Sequence, residues 1–187
     1  MHPPSRSTLN AVVSGSVASL LSALAMTLRG RHESGTPAAP INAVSHWVHG
    51  DRAYRVDRTD VRHSVVGYLV HHASAIFWGV LYELLLQRLI VSRDRSLTAA
   101  SRRQGGSARP AGPRRPALPS AGEVVIGAAG VTALAALTDL RLVPPRFSPG
   151  FEQRLGAISL VLVYLAFGTG LALATAGLRA ADRLHRG

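Results

Sequence analysis

Ionisable side chains inside an apolar run are the most informative feature of this sequence of 187 residues. The run at residues 64–91 is longer than the roughly 20 apolar residues that a helix needs to cross a bilayer. It nevertheless contains His71, His72 and Glu83. Such groups are costly in hydrocarbon unless they face a partner, a cavity or a ligand, so they indicate a polar feature inside the protein.

The spacing of these residues determines which of them can act together. On an ideal helix His72 and Glu83 share a face but lie about 16 Å apart along the axis, so they cannot touch. His71 and His72 point about 100° apart, so one helix does not easily offer both to one metal ion. His72 and Glu83 are therefore candidate proton-linked groups on one face rather than a bonded pair.

Further candidate residues lie beside the apolar runs. Asn42, His46 and His49 recur at helical spacing within residues 41–50, and apolar residues occupy the other face. This pattern predicts a short interfacial helix with Trp47 near the lipid headgroups. The candidate polar or ligand-binding cluster of the whole chain comprises His46, His49, His63, His71, His72, Asp139 and Arg141.

Three interpretations of this cluster stay open. The favoured one is a structural network on the outer side of the membrane, without a cofactor, in which Asp139 pairs with Arg141 or Arg146. The second is a haem or divalent-metal site, because His and Asp are ligands for zinc and iron. The third is proton sensing or proton conduction through His72 and Glu83. The chain has no Cys, which excludes thiolate ligands, and the identity of any metal is unknown.

Motifs of enzymes are missing from the sequence. It contains no phosphate-binding loop of the GxxxxGK type, no dinucleotide fingerprint and no GxSxG nucleophile motif. Its serine-rich segments lack a partnered base. The sequence therefore predicts that the protein is not an enzyme.

Four apolar segments position these residues. The chain is 47% hydrophobic and only 17% charged, whereas a soluble domain carries about a quarter of charged residues. We expect an all-α fold, a bundle of four transmembrane helices in a single membrane domain over residues 1–187. In the first segment, rows of small residues such as Gly15, Ser19 and Ala23 predict close helix packing. The predicted spans are 9–28, 64–91, 121–143 and 155–179.

Two segments have alternative or irregular interpretations. The first apolar segment also fits a cleaved signal peptide, with Arg6 before it and Ala23-Leu24-Ala25 as the cleavage site. We favour a retained span, because it completes a four-helix bundle. Residues 96–120 are rich in Ser, Arg, Pro, Gly and Ala without periodicity, so we expect a disordered loop.

The charge pattern predicts topology and partners. The formal net charge is +11, and all 21 basic residues are arginines. They lie between and beside the apolar runs, which indicates contact with membrane lipids rather than nucleic acid. More of them flank the N-terminus, the second loop and the tail than the other two loops, so both termini are expected in the cytoplasm. A homo-oligomer or a membrane-protein partner stays open.

Three stretches carry a resemblance to known proteins: PINAVSHWVHGD, HSVVGYLVHHASAIFWGVLYE and TDLRLVPPRFSPGFEQRL. They resemble a group of small proteobacterial inner-membrane proteins and, in layout, the YagU-type inner-membrane proteins. The fourth span departs from that layout because it lacks a histidine. The resemblance implies a bacterial inner-membrane location and four helices. The matching positions are His71, His72, Tyr82, Glu83, Pro144 and Pro145.

Overall fold

A computed structural model describes residues 6–103 and 118–184, and within them the chain is helical without strands. Four of its helices are long and apolar enough to cross a membrane, which confirms the predicted all-α fold with four membrane-spanning helices. In the described part of the chain the α-helices are, in order, α1 (Arg6–Glu33), α2 (Ala39–Val44), α3 (His46–His49), α4 (Val66–Arg103), α5 (Ala121–Leu137) and α6 (Ala157–Leu184).

The short elements gather at one end of the bundle, which we call the loop end. It consists of residues 34–65 between α1 and α4 and residues 138–156 between α5 and α6. The second of these segments begins with a π-helical turn, Thr138–Leu142, which continues α5 until just before the pair Pro144-Pro145. The helical stretch thus ends within one residue of the predicted end of the third span at residue 143. The opposite end, where α1 begins and α6 ends, is the terminal end.

Helix α1 packs closely against α4 and α6 because the contact positions carry small residues. A Cβ atom added to Gly15 would lie 2.6 Å from the Cα of Ile76 in α4. One added to Gly170 of α6 would lie 2.5 Å from the Cα of Ala18. Both distances are shorter than atoms tolerate, so the backbones meet only where side chains are absent. The predicted packing role of the small residues in α1 is confirmed.

Helices α4 and α5 are in contact near the terminal end, and a cavity lies between them toward the loop end. At the close contact, a Cβ atom on Gly127 of α5 would lie 3.1 Å from Leu86 and 3.3 Å from Tyr82 of α4. Toward the loop end, residues 70–78 and 135–143 line the two sides of a cavity instead. The gap between the two helices thus lies beneath the loop end.

The segment predicted as one interfacial helix forms two short helices that join at Ser45. All six residues of α2 are buried, including Asn42. The Asn42 Nδ2 group donates to the carbonyls of Val56 (2.8 Å) and Arg58 (2.9 Å), and its Oδ1 accepts from Ser64 Oγ (2.7 Å). Asn42 therefore faces the protein rather than water, because the following chain segment lies over it.

Helix α4 continues beyond the predicted end of the second span. It ends at Arg103, so residues 96–103 of the segment predicted as a disordered loop are helical. The side-chain hydroxyls of Ser96 and Thr98 donate to the backbone carbonyls of Ser92 and Asp94, which lie four residues earlier and thus one helical turn away. Residues 104–117, which the same prediction covers, lie outside the described residues.

Candidate functional site

A cavity of about 480 Å³ lies at the loop end between α4, α5 and α6. Aromatic side chains form much of its wall. They include both tryptophans and all four phenylalanines of the chain, together with one of its four tyrosines. They are Trp47, Trp78, Phe77, Phe147, Phe151, Phe167 and Tyr164.

These aromatic residues reach the cavity from different elements. Phe77 and Trp78 lie on α4, whereas Tyr164 and Phe167 are three residues apart on α6 and so share one face. Short 3-10 turns of the loop end supply Phe147 and Phe151, and the short helix α3 supplies Trp47. The cavity is thus walled by helices and covered by the loop end.

Two interactions hold the cover in place. The indole Nε1 of Trp47 donates to the carbonyl of Ser148 (2.8 Å), and its ring meets Phe147 edge to face at 6.0 Å between centroids. Gly150 has a φ of 88° and lies against the first loop, where a Cβ atom would be 2.5 Å from the carbonyl oxygen of Ala43. This position requires glycine both for its backbone conformation and for the close approach.

Asp139 is the carboxylate in the cavity wall, and its partner differs from the prediction. The Tyr164 hydroxyl donates to Asp139 Oδ2 at 3.0 Å. The predicted ion pair with Arg141 or Arg146 is wrong within the described part of the chain. Arg141 is exposed, and Arg146 donates to the carbonyl of Trp47 (3.4 Å). Asp139 and Arg141 both lie in the π-helical turn, where the Asp139 carboxylate contacts Tyr164 of α6 and Arg141 is exposed.

His71 forms part of the cavity wall on the side nearest α1. Its Nε2 lies 3.0 Å from Ser22 Oγ, and that hydroxyl also donates to the carbonyl of Ala18 (2.7 Å). The neighbouring His72 points elsewhere, stacks on Tyr68 with 5.6 Å between ring centroids and is not part of the wall. Its Nδ1 is buried without a hydrogen-bond partner in the described part of the chain. The two histidines thus have separate surroundings.

The histidines of the first loop form a second group outside the cavity. His46 is buried and its ring stacks on Tyr54 at 5.0 Å, where burial raises the pKa of the phenol. The His49 ring lies 4.8 Å from the His63 ring. The backbone N–H of His63 donates to Asp60 at 2.7 Å, and this bond lowers the pKa of the carboxyl.

The predicted polar cluster is therefore divided rather than convergent. Within residues 6–103 and 118–184, no three His, Asp or Glu side chains are placed to hold one metal ion together. Glu83 and His72 have different partners. Glu83 accepts a hydrogen bond from Ser14 Oγ of α1 (3.2 Å), whereas His72 stacks on Tyr68. The haem or metal interpretation and the proton-linked interpretation stay predictions.

Sequence reasoning missed the aromatic wall of the cavity. The chain is only 5% aromatic, and its aromatic residues are scattered over two of the four apolar segments and two loops. The available signal was the set of two phenylalanines and one tryptophan that lie in the loops, where bilayer-facing packing does not require them: Phe147, Phe151 and Trp47. Their convergence depends on how the loops cross the bundle.

Comparison with known proteins assigns no family to the chain, since it matches no protein-family model, no curated protein and no solved structure. The resemblance to YagU-type proteins stays an expectation. What the protein does must therefore be inferred from the cavity and its polar side chains.

Proposed function

We propose that this membrane protein binds a small, mainly apolar molecule in the aromatic cavity. The proposal rests on the concentration of seven aromatic side chains around one cavity of about 480 Å³. Sites for small molecules are typically concave, lined by apolar and aromatic groups, and supplied with a few polar groups that fix orientation. A bundle with a purely structural role would gain dispersion energy by filling this volume.

Polar groups on two different walls would orient the molecule. Asp139 and Tyr164 present a carboxylate and a phenol on the side of α5 and α6. His71 presents an imidazole on the side of α1 and α4. The hydrogen-bonded pairs Asp139–Tyr164 and His71–Ser22 also connect neighbouring elements. They therefore keep the bundle-organising role that the sequence predicts for the polar network. The protein needs no enzymatic activity for this function.

The bilayer is the route by which such a molecule reaches the cavity. Phe77 is 57% exposed and Phe147 is 56% exposed, and both belong to the cavity wall. Phe77 lies on the membrane-spanning helix α4, so its exposed side chain would face lipid, and we place the opening of the cavity there. An apolar molecule dissolved in the membrane therefore has direct access, with no need to cross the loop end.

The location of the cavity follows from the proposed topology. We place the chain in the bacterial inner membrane with both termini in the cytoplasm, as its arginine distribution favours. The loop end then faces outward, and the cavity opens to the outer leaflet. Membrane lipids are the expected surroundings, and a second copy or another membrane protein stays open as a partner.

Fluorescence titration tests the proposal, because both tryptophans belong to the cavity wall. We expect the neutral probe 1-aminoanthracene to quench their emission saturably in protein held in neutral maltoside micelles. Ser74→Phe, which places a large ring in the cavity wall, should abolish saturation. Ala133→Phe, at an exposed position of α5 outside the wall, is the control and should bind as the unmodified protein does. Unsaturable quenching in the unmodified protein, or equal binding by Ser74→Phe, would refute the proposal.

A further inference from the structure

Within residues 6–103 and 118–184, the carboxylate of Asp139 in the cavity wall has no cationic partner, in a chain rich in arginine. Among the described residues, Asp139 receives a hydrogen bond from the Tyr164 hydroxyl and forms no ion pair. The hydroxyl satisfies one oxygen but leaves the negative charge uncompensated. An ionised carboxylate at the edge of a membrane span is stabilised by a positive charge nearby, and no side chain of the described part supplies it.

A second carboxylate lies behind the cover of the cavity. Glu152 follows Phe151, and its Oε1 accepts a hydrogen bond from Ser148 Oγ (2.6 Å). Its Oε2 is buried and has no hydrogen-bond partner within the residues that the structure describes. Glu152 is therefore a second acid on the same side of the cavity as Asp139, and two ionised acids there would add to a negative potential.

The aromatic wall adds to this preference for positive charge. The faces of aromatic rings carry negative electrostatic potential and attract cations, most strongly in indole and where water is excluded. The two arginines nearest in sequence do not oppose it, because Arg141 is exposed and Arg146 is bonded to the Trp47 carbonyl at the surface. The remaining titratable group of the wall is His71, on the far side beside Ser22.

From the unpaired Asp139 carboxylate and the seven aromatic side chains around it, we infer that the cavity selects a lipophilic organic cation. The positive centre lies between the Asp139 carboxylate and the ring faces of the wall, while its apolar substituents occupy the rest of the cavity. This inference rests on the proposed function and specifies the class of ligand. A neutral molecule would leave the carboxylate uncompensated, and an anion would be repelled by both acids.

Two probes of the same shape and opposite charge test the selectivity. Tetraphenylphosphonium and tetraphenylborate each carry four phenyl groups, and both are titrated against tryptophan emission in neutral maltoside micelles. We expect tetraphenylphosphonium to bind saturably and to displace 1-aminoanthracene, and tetraphenylborate to do neither. Asp139→Asn should weaken tetraphenylphosphonium binding by about tenfold or more, because it removes the charge and keeps the shape. Glu83→Gln neutralises another buried carboxylate, outside the cavity wall, and should leave binding unchanged.

The neutral probe separates the possible failures. If 1-aminoanthracene binds but both tetraphenyl ions compete equally, the inference is overturned and the proposed function stands. If no probe binds the unmodified protein, both are overturned. Binding of 1-aminoanthracene by Asp139→Asn shows that its cavity is folded, so unchanged phosphonium affinity in that variant counts against the inference. If that variant binds neither probe, competition in the unmodified protein decides between the two ions.

Discussion

At the scale of single residues, Asn42 does most to fix the loop end of the bundle. It is fully buried, yet its amide group is satisfied by three partners in the chain that follows, the carbonyls of Val56 and Arg58 and the hydroxyl of Ser64. The amide joins α2 to the segment that leads into α4. Because α2 also contributes to the support of the cavity cover, this one side chain links the first loop to the candidate site.

Replacing Asn42 by alanine should destabilise the protein substantially. The change leaves two carbonyls and one hydroxyl without their partner, and a buried unsatisfied group costs about 1–3 kcal/mol. We expect a loss of about 2–3 kcal/mol in the free energy of unfolding, measured by titration with sodium dodecyl sulfate in mixed micelles. Asn10→Ala, on α1, removes the only other asparagine and should change stability by less than about 0.5 kcal/mol. Equal losses of unfolding free energy in the two variants would show that the hydrogen bonds of Asn42 do not stabilise the fold.

Sequence identified the polar residues better than their partners. The helical spacing of Asn42, His46 and His49 suggested a face turned to the membrane surface, but Asn42 and His46 are buried because the next segment covers them. Asp139 was recognised as an acid at the end of a span, yet its partner is Tyr164 in the following helix. A contact between two helices depends on their crossing, which local spacing does not contain.

At the scale of elements, α1 is the helix around which α4 and α6 are arranged. It offers glycine, alanine and serine to both neighbours, and the backbones approach until a single methyl group would not fit. Van der Waals contact between helices, rather than the hydrophobic effect, drives such association within lipid. The stability of the bundle should therefore depend on the smallest side chains of α1.

Gly15→Ala should loosen the contact between α1 and α4. Its Cβ atom would lie 2.6 Å from the Cα of Ile76 and 2.8 Å from the carbonyl oxygen of Ala75, so one helix has to move. Overpacking of this kind costs about 1–3 kcal/mol. Gly177→Ala on α6 is the matched control, because its Cβ atom would meet open space, and it should be neutral or stabilising by up to about 1 kcal/mol. Thermal unfolding of both variants in detergent measures the difference, and a Gly15→Ala variant as stable as Gly177→Ala contradicts the expectation.

The elements themselves were largely accessible from sequence, because apolar runs of membrane length have few alternatives to a helix. The end of the third span, predicted at residue 143 just before Pro144-Pro145, was also close, since proline removes a backbone donor. The end of α4 was not. Residues 96–103 were grouped with the Gly- and Pro-rich stretch that follows, although Leu97, Ala99 and Ala100 favour helix and continue α4.

At the scale of the whole molecule, the cavity depends on elements that are far apart in the chain. Its aromatic wall combines α4 and α6 with two loops that cross over the same end of the bundle. No stretch of the sequence contains more than two of the seven aromatic residues side by side. The site is therefore a property of the assembled fold, and the orientation of that fold decides which leaflet would supply the proposed ligand.

The orientation can be tested by cysteine labelling, because the chain contains no cysteine of its own. Asp51→Cys and Ser101→Cys each introduce one thiol at an exposed position, the first at the loop end and the second near the end of α4. With both termini in the cytoplasm, a membrane-impermeant maleimide should label Asp51→Cys in spheroplasts, and Ser101→Cys only in inverted membrane vesicles. The arginines that flank the terminal end favour this arrangement, since positive loops are retained in the cytoplasm. The reverse labelling pattern would turn the cavity toward the inner leaflet, and the lipophilic cation would then have to reach it from the cytoplasmic side.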